Sequence, residues 1–235
     1  CLDAGDKNSY PGSGTTWYDL SGNGNNATLS DVEIGTVSSS LNTMAANSGS
    51  ASTGYGQEIT IGSSIAGCET STGTISCWVN MHPKTLNSGV GLWHFHDGQS
   101  AGKHVTDYIT CRVTADNNMK LLIEDENVTE LWTQYDLDNL YGAGAFVDKW
   151  LYIVWLQDGS SVKLYINGEL ISMSAGGNNG SWWTNHLSID EAIVMGVATW
   201  SNADHMLSIF NIYNRALTST EVKQNFNAHR HRFGV

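Results

Sequence analysis

Positive charge and proline are what this sequence has least of. Only 11 residues are lysine or arginine against 23 aspartates and glutamates, and the formal net charge at pH 7 is −12. Nucleic-acid backbones are bound by clustered lysine and arginine, so this composition disfavours that class of partner. Charged residues make up 14% of the chain and there are only 2 prolines against 25 glycines, which suits strands joined by tight turns.

Long apolar runs are also missing, since no stretch approaches the ~20 apolar residues that a membrane-spanning helix requires. Disorder is disfavoured by 40% hydrophobic residues, with 9 Trp and 9 Tyr among them. We find no repeat, charge block or interdomain linker, so we expect a single domain over residues 1–235. The chain starts at Cys1 without a methionine or signal peptide, which predicts a processing or excision point there.

The four cysteines, Cys1, Cys68, Cys77 and Cys111, contain no Cys-x-x-Cys pair, which disfavours a zinc or redox site. An even number of cysteines in a Gly- and Asn-rich β chain indicates an oxidising compartment, and three pairings are open. We expect at least one disulfide that involves Cys77 or Cys111, because both lie in predicted strands. The alternative is that these two are reduced core residues.

Segments rich in β-branched and aromatic residues, bounded by Gly, Asn, Asp or Ser, predict about ten strands. They are 58–61, 74–80, 90–96, 105–113, 119–124, 150–156, 161–166, 169–173, 192–197 and 206–213. Asn167-Gly168 is the strongest hairpin signal, and Asp158-Gly159 marks a second tight turn. Only 219–229 is predicted to be helical. This pattern predicts an all-β fold, a two-sheet antiparallel β-sandwich or jelly roll, with one short C-terminal helix.

The chain ends in an alternating strand, a turn and a capped helix. Thr218 lies three residues before Glu221, which is the spacing of a capping box, and Val222 and Phe226 share one helical face. This arrangement over 208–234 resembles the C-terminal end of LamG-like, concanavalin A-like jelly-roll domains.

Two more regions resemble that family in its order, the turn-rich segment 9–26 and the strands at 75–79, 150–155 and 162–168. Both ends resemble the variant found in structural proteins of tailed phages and marine viruses, which implies a place on a fibre, tail appendage or capsid. The fold hosts lectins, glycanases, adhesion modules and spacers, so the resemblance implies fold more than function. Many relatives hold a structural calcium with an Asp five residues before the tyrosine of the closing strand. Ser208 stands there in this chain, which argues against that site.

The acidic run 124–130 is the candidate for a catalytic strand. Glycanases of this fold use a Glu-x-Asp-x-x-Glu strand that places its carboxylates on one face. Glu126 and Glu130 lie four residues apart around Val128, which does not match, and a solvated hairpin edge is the better interpretation. No serine nucleophile elbow or His-Glu-x-x-His motif occurs. We therefore expect a protein that is not an enzyme, with a glycoside hydrolase as the distant alternative.

Two groups of residues are candidate metal sites. His94 and His96 are alternate residues of a predicted strand, so their rings share a face and could bind a transition metal. The alternative is a hydrogen-bonded aromatic strip. Asp19, Asn23 and Asn25 offer calcium-type oxygen ligands in a Gly-rich loop. The alternative there is a set of Asx turns.

Aromatic rings beside amides are the candidates for glycan contact, because tryptophan stacks on sugar C–H faces while amides bind hydroxyl groups. Two adjacent tryptophans of an extended segment cannot both face the same core, so at least one is expected near the surface. The candidate residues are Trp182, Trp183, Asn179 and Asn185, with Trp132 in a second aromatic region. The alternative is that these rings are buried against another subunit.

Taken together, these features predict a non-enzymatic recognition or adhesion module, extracellular or on a virion surface. Its expected partner is a glycan or cell-surface polysaccharide, calcium is the candidate cofactor, and neither nucleic acid nor a membrane span is expected. The alternative function is that of a structural decoration or assembly subunit of a capsid, fibre or filament. Its aromatic residues would then be buried against copies of itself or other structural proteins.

Overall fold

The computed structural model describes residues 1–30, 33–34, 41–43, 58–62, 65, 70–81, 90–96, 108–125, 128–173, 175–177, 179–182, 191–195 and 205–235. In these residues the strands are β1 (Leu2–Asp3), β2 (Thr16–Trp17), β3 (Ala27–Ser30), β4 (Glu33–Ile34), β5 (Leu41–Thr43), β6 (Glu58–Ile61), β7 (Gly73–Met81), β8 (Val90–His96), β9 (Tyr108–Val113), β10 (Asn118–Asp125), β11 (Val128–Asp136), β12 (Trp150–Gln157), β13 (Val162–Ile166), β14 (Glu169–Ile171), β15 (Ala175–Gly176), β16 (Glu191–Met195) and β17 (His205–Tyr213). The helices are α1 (Asp138–Tyr141) and α2 (Ser219–His229), and a 3₁₀ turn follows at Arg230–Arg232.

In the described part of the chain these strands form two antiparallel sheets. Sheet A has eight strands in the order β14-β13-β12-β7-β17-β5-β4, with β1 paired to β17. Sheet B has nine strands in the order β15-β11-β10-β9-β8-β16-β6-β3-β2. This confirms the predicted jelly-roll sandwich with a C-terminal helix, to which the structure adds the single-turn helix α1. None of the helices among the described residues has the length and apolarity that a bilayer span requires.

The main core lies between the two sheets and follows the two-residue period of a strand. On β10, for example, Met119, Leu121 and Ile123 point inward and are buried. They meet inward-facing residues of sheet A such as Ile153 and Trp155 in one continuous cluster. The alternating pattern therefore fixes which face of sheet B is left outward.

Helix α2 covers the outer face of sheet A. Phe226 stacks on Trp78 with ring centroids 5.7 Å apart, and Phe233 stacks on the same indole at 4.1 Å. Both faces of β7 and β12 are therefore buried, which explains why these strands lack a polar, solvent-facing side. The capping box predicted for this helix is confirmed, because Thr218 and Glu221 exchange both hydrogen bonds.

The predicted hairpin turn between β13 and β14 is also confirmed. Asn167 and Gly168 both have positive φ, 53° and 81°, and Ile166 pairs directly with Glu169. Gly168 is required for space as well, because a Cβ there would lie 2.9 Å from the Lys223 side chain and 3.3 Å from Phe226. The turn thus locks the edge of sheet A to helix α2.

The disulfide prediction was wrong for Cys77 and Cys111, which are both free and buried. Each lies on the inner face of a different sheet, and no cysteine stands opposite either one in a neighbouring strand. Cys77 pairs with Ile153 and Phe210, whereas Cys111 pairs with Trp93 and Leu121. Burial raises the pKa of both thiols, that of Cys111 to about 12. Both are therefore inert core residues, while Cys1 is free and exposed and Cys68 lies outside the described residues.

Candidate binding face

The outer face of sheet B carries polar side chains across β8 to β11. On β10 the outward residues Lys120, Leu122 and Glu124 are half-buried and alternate with the buried inward ones. We call this surface, from β8 to β11, the outer face. The register arranges its side chains in rows that cross the strands. The first row is His96, Tyr108 and Glu124, the second is His94, Thr110, Leu122 and Trp132, and the third is Arg112, Lys120 and Gln134.

Trp132 is the exposed aromatic residue of this face, with 42% of its surface accessible. Leu122 stands directly opposite on β10, and Gln134 follows two residues along β11 on the same side. Lys120 is opposite Gln134, so it is a diagonal neighbour of Trp132, within the reach of a long side chain. Among the side chains that the structure describes, the indole thus has one apolar, one amide and one cationic neighbour across β10 and β11.

Beyond Trp132, strand β15 ends in Gly176 and is followed by Gly177, so two consecutive residues there have no side chain. Gly176 pairs with Thr133, and a Cβ on Gly176 would lie 2.4 Å from the carbonyl oxygen of Trp132. Its φ of 107° adds to this requirement for glycine. Gly177 is exposed, and a Cβ there would meet no atom within 4 Å. On the side of Trp132 towards β15, these two glycines therefore leave the backbone uncovered by side chains, and we call this strip the glycine shelf.

The opposite end of the face holds a polar cluster. Burial raises the pKa of Tyr108, and its hydrogen bond with the Glu124 carboxylate raises it further. Burial lowers the pKa of Arg112, an effect that the neighbouring Tyr108 and Glu124 oppose. Thr110 donates its hydroxyl hydrogen to the Trp93 carbonyl oxygen at 2.9 Å. The cluster is therefore held together by internal contacts, whereas the Trp132 end is more open.

His94 and His96 lie next to this cluster and are both buried. Their ring centroids are 4.8 Å apart, and His94 is 5.3 Å from the Tyr108 ring. Burial, with a smaller contribution from His96, lowers the pKa of His94 to about 3, so its imidazole is neutral at pH 7. Among the described residues no group of three or more potential metal ligands occurs, so a metal site at these two histidines stays a prediction.

Because His94 is buried and neutral, we expect the folded state to lose stability at acidic pH. Below its ordinary pKa of 6.5 the unfolded chain binds a proton that the native state excludes down to about pH 3. Buried His205, whose pKa is lowered to about 4, acts in the same direction. Stability should therefore be constant above pH 6.5 and should fall below it. For His94 alone we expect a loss of about 2 kcal/mol between pH 6.5 and 4.5, at 1.4 kcal/mol per pH unit and proton.

Urea unfolding at pH 7.5, 6.5, 5.5 and 4.5 measures this loss, and the His94→Gln variant is expected to show a shallower slope. Asp3 has a lowered pKa and an ordinary value of 3.8, so its contribution arises mainly below this window. An unchanged slope in the variant would show that His94 takes up its proton in the native state.

Trp182 is buried in the main core, with 2% of its surface exposed, and this corrects its assignment as a glycan-stacking ring. Its indole occupies the space that Gly73 leaves, since a Cβ on Gly73 would lie 2.5 Å from Nε1 of Trp182. Asn179 is exposed, and its side-chain oxygen accepts a hydrogen bond from the Ser181 amide at 2.9 Å. Trp183 and Asn185 lie outside the described residues.

The loop with Asp19, Asn23 and Asn25 has the hydrogen bonds of tight turns. The Asp19 carboxylate accepts hydrogen bonds from the Ser21 amide and hydroxyl, the Asn25 amide and the amino group of Cys1. Burial opposes ionisation, but these hydrogen bonds lower the pKa of Asp19 to about 2. Asn23 donates its side-chain amide to the Ser21 hydroxyl. The Asx-turn interpretation thus accounts for the loop, because the carboxylate oxygens already face N–H and O–H donors.

Trp132 can be selected from its residue type, but the polar residues around it cannot. Tyr108, Arg112, Lys120 and Gln134 come from three strands, and only the cross-strand register brings them beside each other. The alternation of Leu131, Thr133 and Tyr135 was a usable signal for β11, a strand that was not predicted. Once β11 is recognised, Trp132 and Gln134 necessarily share its outward side.

Two antiparallel sheets packed around one core define a β-sandwich. Residues 52–223 match Laminin_G_3, described as the concanavalin A-like lectin/glucanases superfamily, and the chain belongs to this family. No curated protein gives a significant sequence match.

Solved structures with the same fold include receptor-binding domains of botulinum neurotoxins. That of type D aligns with a TM-score of 0.66 at 17% identity, over 97% of this chain and 52% of its own. The serotype D ligand binding domain in complex with N-acetylneuraminic acid gives 0.65 and 15%, over 97% and 50% of the two chains. The type G domain gives 0.65 and 16%, over 94% and 50%. The chain thus spans about half the length of these proteins, and at such identities the likeness concerns the fold.

Proposed function

We propose that this chain is a non-enzymatic carbohydrate-binding module, extracellular or on a virion surface. It holds its glycan on the outer face of sheet B, with Trp132 as the stacking platform. Membership of a superfamily of lectins and glucanases supports this proposal, as does the likeness to domains named for receptor and ligand binding. The proposed protein is a single domain that binds without chemical conversion.

The exposure of Trp132 is the observation that carries the proposal. Tryptophan is over-represented among residues that dominate binding energy, so an exposed tryptophan on a sheet face is a candidate ligand contact. Here the ring has the Gln134 amide on one side and the glycine shelf of Gly176 and Gly177 on the other. A sugar can therefore lie flat on the indole while its hydroxyl groups reach amide and backbone groups.

Further contacts are proposed for the segment after β15. This segment continues from the strand paired with β11, and it contains Asn179, Trp183 and Asn185. An exposed amide at Asn179 suits contact with sugar hydroxyl groups. In this proposal Trp132 is the main contact and the segment extends it along a longer glycan.

The test is a glycan array probed with the native protein and with Trp132→Ala. We expect the substitution to reduce binding more than about tenfold, since a stacked ring loses its whole contact area on truncation. The matched control is Tyr18→Ala, which removes an aromatic ring of similar exposure, 45%, on the N-terminal loop. Equal binding by the native protein and Trp132→Ala would contradict the proposed face, and no binding to any glycan would contradict the proposed function.

The alternative is an assembly subunit in which Trp132 is buried against another copy or another structural protein. Other exposed apolar side chains, including Tyr18, Tyr141 and Leu170, could also be buried in such an assembly. In that case Trp132→Ala should shift sedimentation velocity from oligomer towards monomer and leave any glycan signal unchanged. The two functions therefore give opposite results with the same variant.

A further inference from the structure

The row of the outer face beside Trp132 is cationic in an otherwise acidic protein. Arg112 and Lys120 are directly opposite one another on β9 and β10, and both side chains point outward. The chain has only 11 basic residues against 23 acidic ones. Two adjacent cations on a single sheet face are therefore a local exception to the net charge of −12.

The two cations differ in how they are engaged. Arg112 is tied electrostatically to Tyr108 and Glu124 at the polar end of the face. Lys120 makes no ion pair within the described residues, although its charge helps to lower the pKa of Asp116 in the adjacent turn, after the larger effect of the Thr114 hydroxyl. Its ammonium group is thus the cation that can turn towards a ligand lying on Trp132.

We propose that the outer face selects glycans whose sugars carry a carboxylate, such as uronic or sialic acids, over neutral glycans. This inference rests on the proposed function and names its ligand class. The sugar ring stacks on Trp132, and its carboxylate is bound by Lys120 with Gln134 beside it. A charged hydrogen bond at a partly desolvated face is stronger than one between neutral groups, so the carboxylate supplies the selectivity.

The register of β10 and β11 supports these separate roles of Trp132 and Lys120. Lys120 and Gln134 form a directly opposed pair, and Trp132 is the next outward residue on the strand of Gln134. Diagonal neighbours of this kind lie roughly 7–8 Å apart, which is within the reach of a long side chain such as that of Lys120. Leu122, opposite Trp132, covers the apolar side of the same sugar.

The test compares matched pairs of probes that differ only in charge. Binding of oligogalacturonate and sialyllactose is measured against their methyl esters and against neutral cello-oligosaccharides and lactose. We expect a carboxylated probe to bind about tenfold more tightly than its ester, and we expect added salt to weaken this preference. Lys120→Gln should remove the preference, Lys120→Arg should retain most of it, and Lys7→Gln, the same charge change at an exposed distant residue, should leave it intact.

The outcomes separate this inference from the proposed function. Equal binding of acid and ester that is lost in Trp132→Ala leaves the function standing and overturns the carboxylate preference. A preference for the acid that persists in Lys120→Gln also overturns the inference, because a residue other than Lys120 then binds the carboxylate. Failure of the folded native protein to bind either carboxylated probe overturns the inference, whereas only failure to bind every glycan of the array would defeat the proposed function. Circular dichroism and thermal melting confirm that each variant is folded before binding is compared.

Discussion

Replacing Phe226 by alanine is expected to lower the free energy of unfolding by about 3–5 kcal/mol. Phe226 is buried on helix α2, where it stacks on Trp78 at 5.7 Å and faces Tyr152 at 6.3 Å. Truncation leaves a cavity between the helix and sheet A that neighbouring rings cannot fill, because they are fixed in the same stack. Urea or guanidinium unfolding measures the loss.

Asn227→Ala is the matched control for Phe226→Ala, since it alters the next residue of the same helix on its exposed side. Surface changes of this kind usually alter stability by less than about 0.5 kcal/mol. An effect of that size for Phe226→Ala would mean that α2 is only loosely attached to the sandwich.

Trp182→Ala is expected to cost a similar amount, about 3–5 kcal/mol, because its indole is part of the main core. The backbone around it is held by Gln157, whose side-chain amide donates to the carbonyl oxygens of Asn179 and Ser181 at 2.9 and 3.0 Å. The space left at Gly73 is matched to the ring and would stay empty after truncation.

Trp132→Ala is the matched comparison for Trp182→Ala. Both variants lose an indole, but we expect only Trp182→Ala to lower the melting temperature and only Trp132→Ala to reduce glycan binding. An unchanged melting temperature for Trp182→Ala would contradict the burial of the Trp182 ring in the core. Contact of this ring with a ligand would then again be the better interpretation.

Features encoded within a few residues were predicted well. The capping box at Thr218 and Glu221 and the Asn167-Gly168 turn depend on local hydrogen bonds and backbone preferences, and both are confirmed. The closing helix has the predicted bounds for the same reason. Such signals need no knowledge of distant neighbours.

Features that depend on register or on which face is buried were predicted poorly. Adjacent tryptophans indicate opposite directions but not which of them enters the core, so Trp182 was misassigned. Strand β11 was missed because its acidic start was interpreted as a hairpin edge. A bridge at Cys77 or Cys111 was expected from strand location alone, whereas a disulfide requires a second cysteine whose Cβ atom lies at bridging distance and points towards the first.

The candidate site likewise combines a residue that the sequence indicates with neighbours that only the register defines. Trp132 could be selected by residue type, but its neighbours Lys120 and Gln134 are defined by pairing across β10 and β11. The polar cluster of Tyr108, Glu124 and Arg112 also arises only when the strands are aligned. A sequence can indicate the chemistry of such a face, but the register decides which groups share it.

The most direct test of the central claim is a titration of the ¹⁵N-labelled protein with the best-binding glycan of the array, followed through the tryptophan indole N–H resonances. The Trp132 signal is assigned by its loss in Trp132→Ala. It is expected to shift on binding, while the signals of buried Trp155 and Trp182 stay in place. Glycan binding that leaves the Trp132 resonance unmoved would contradict the assignment of the outer face as the binding site.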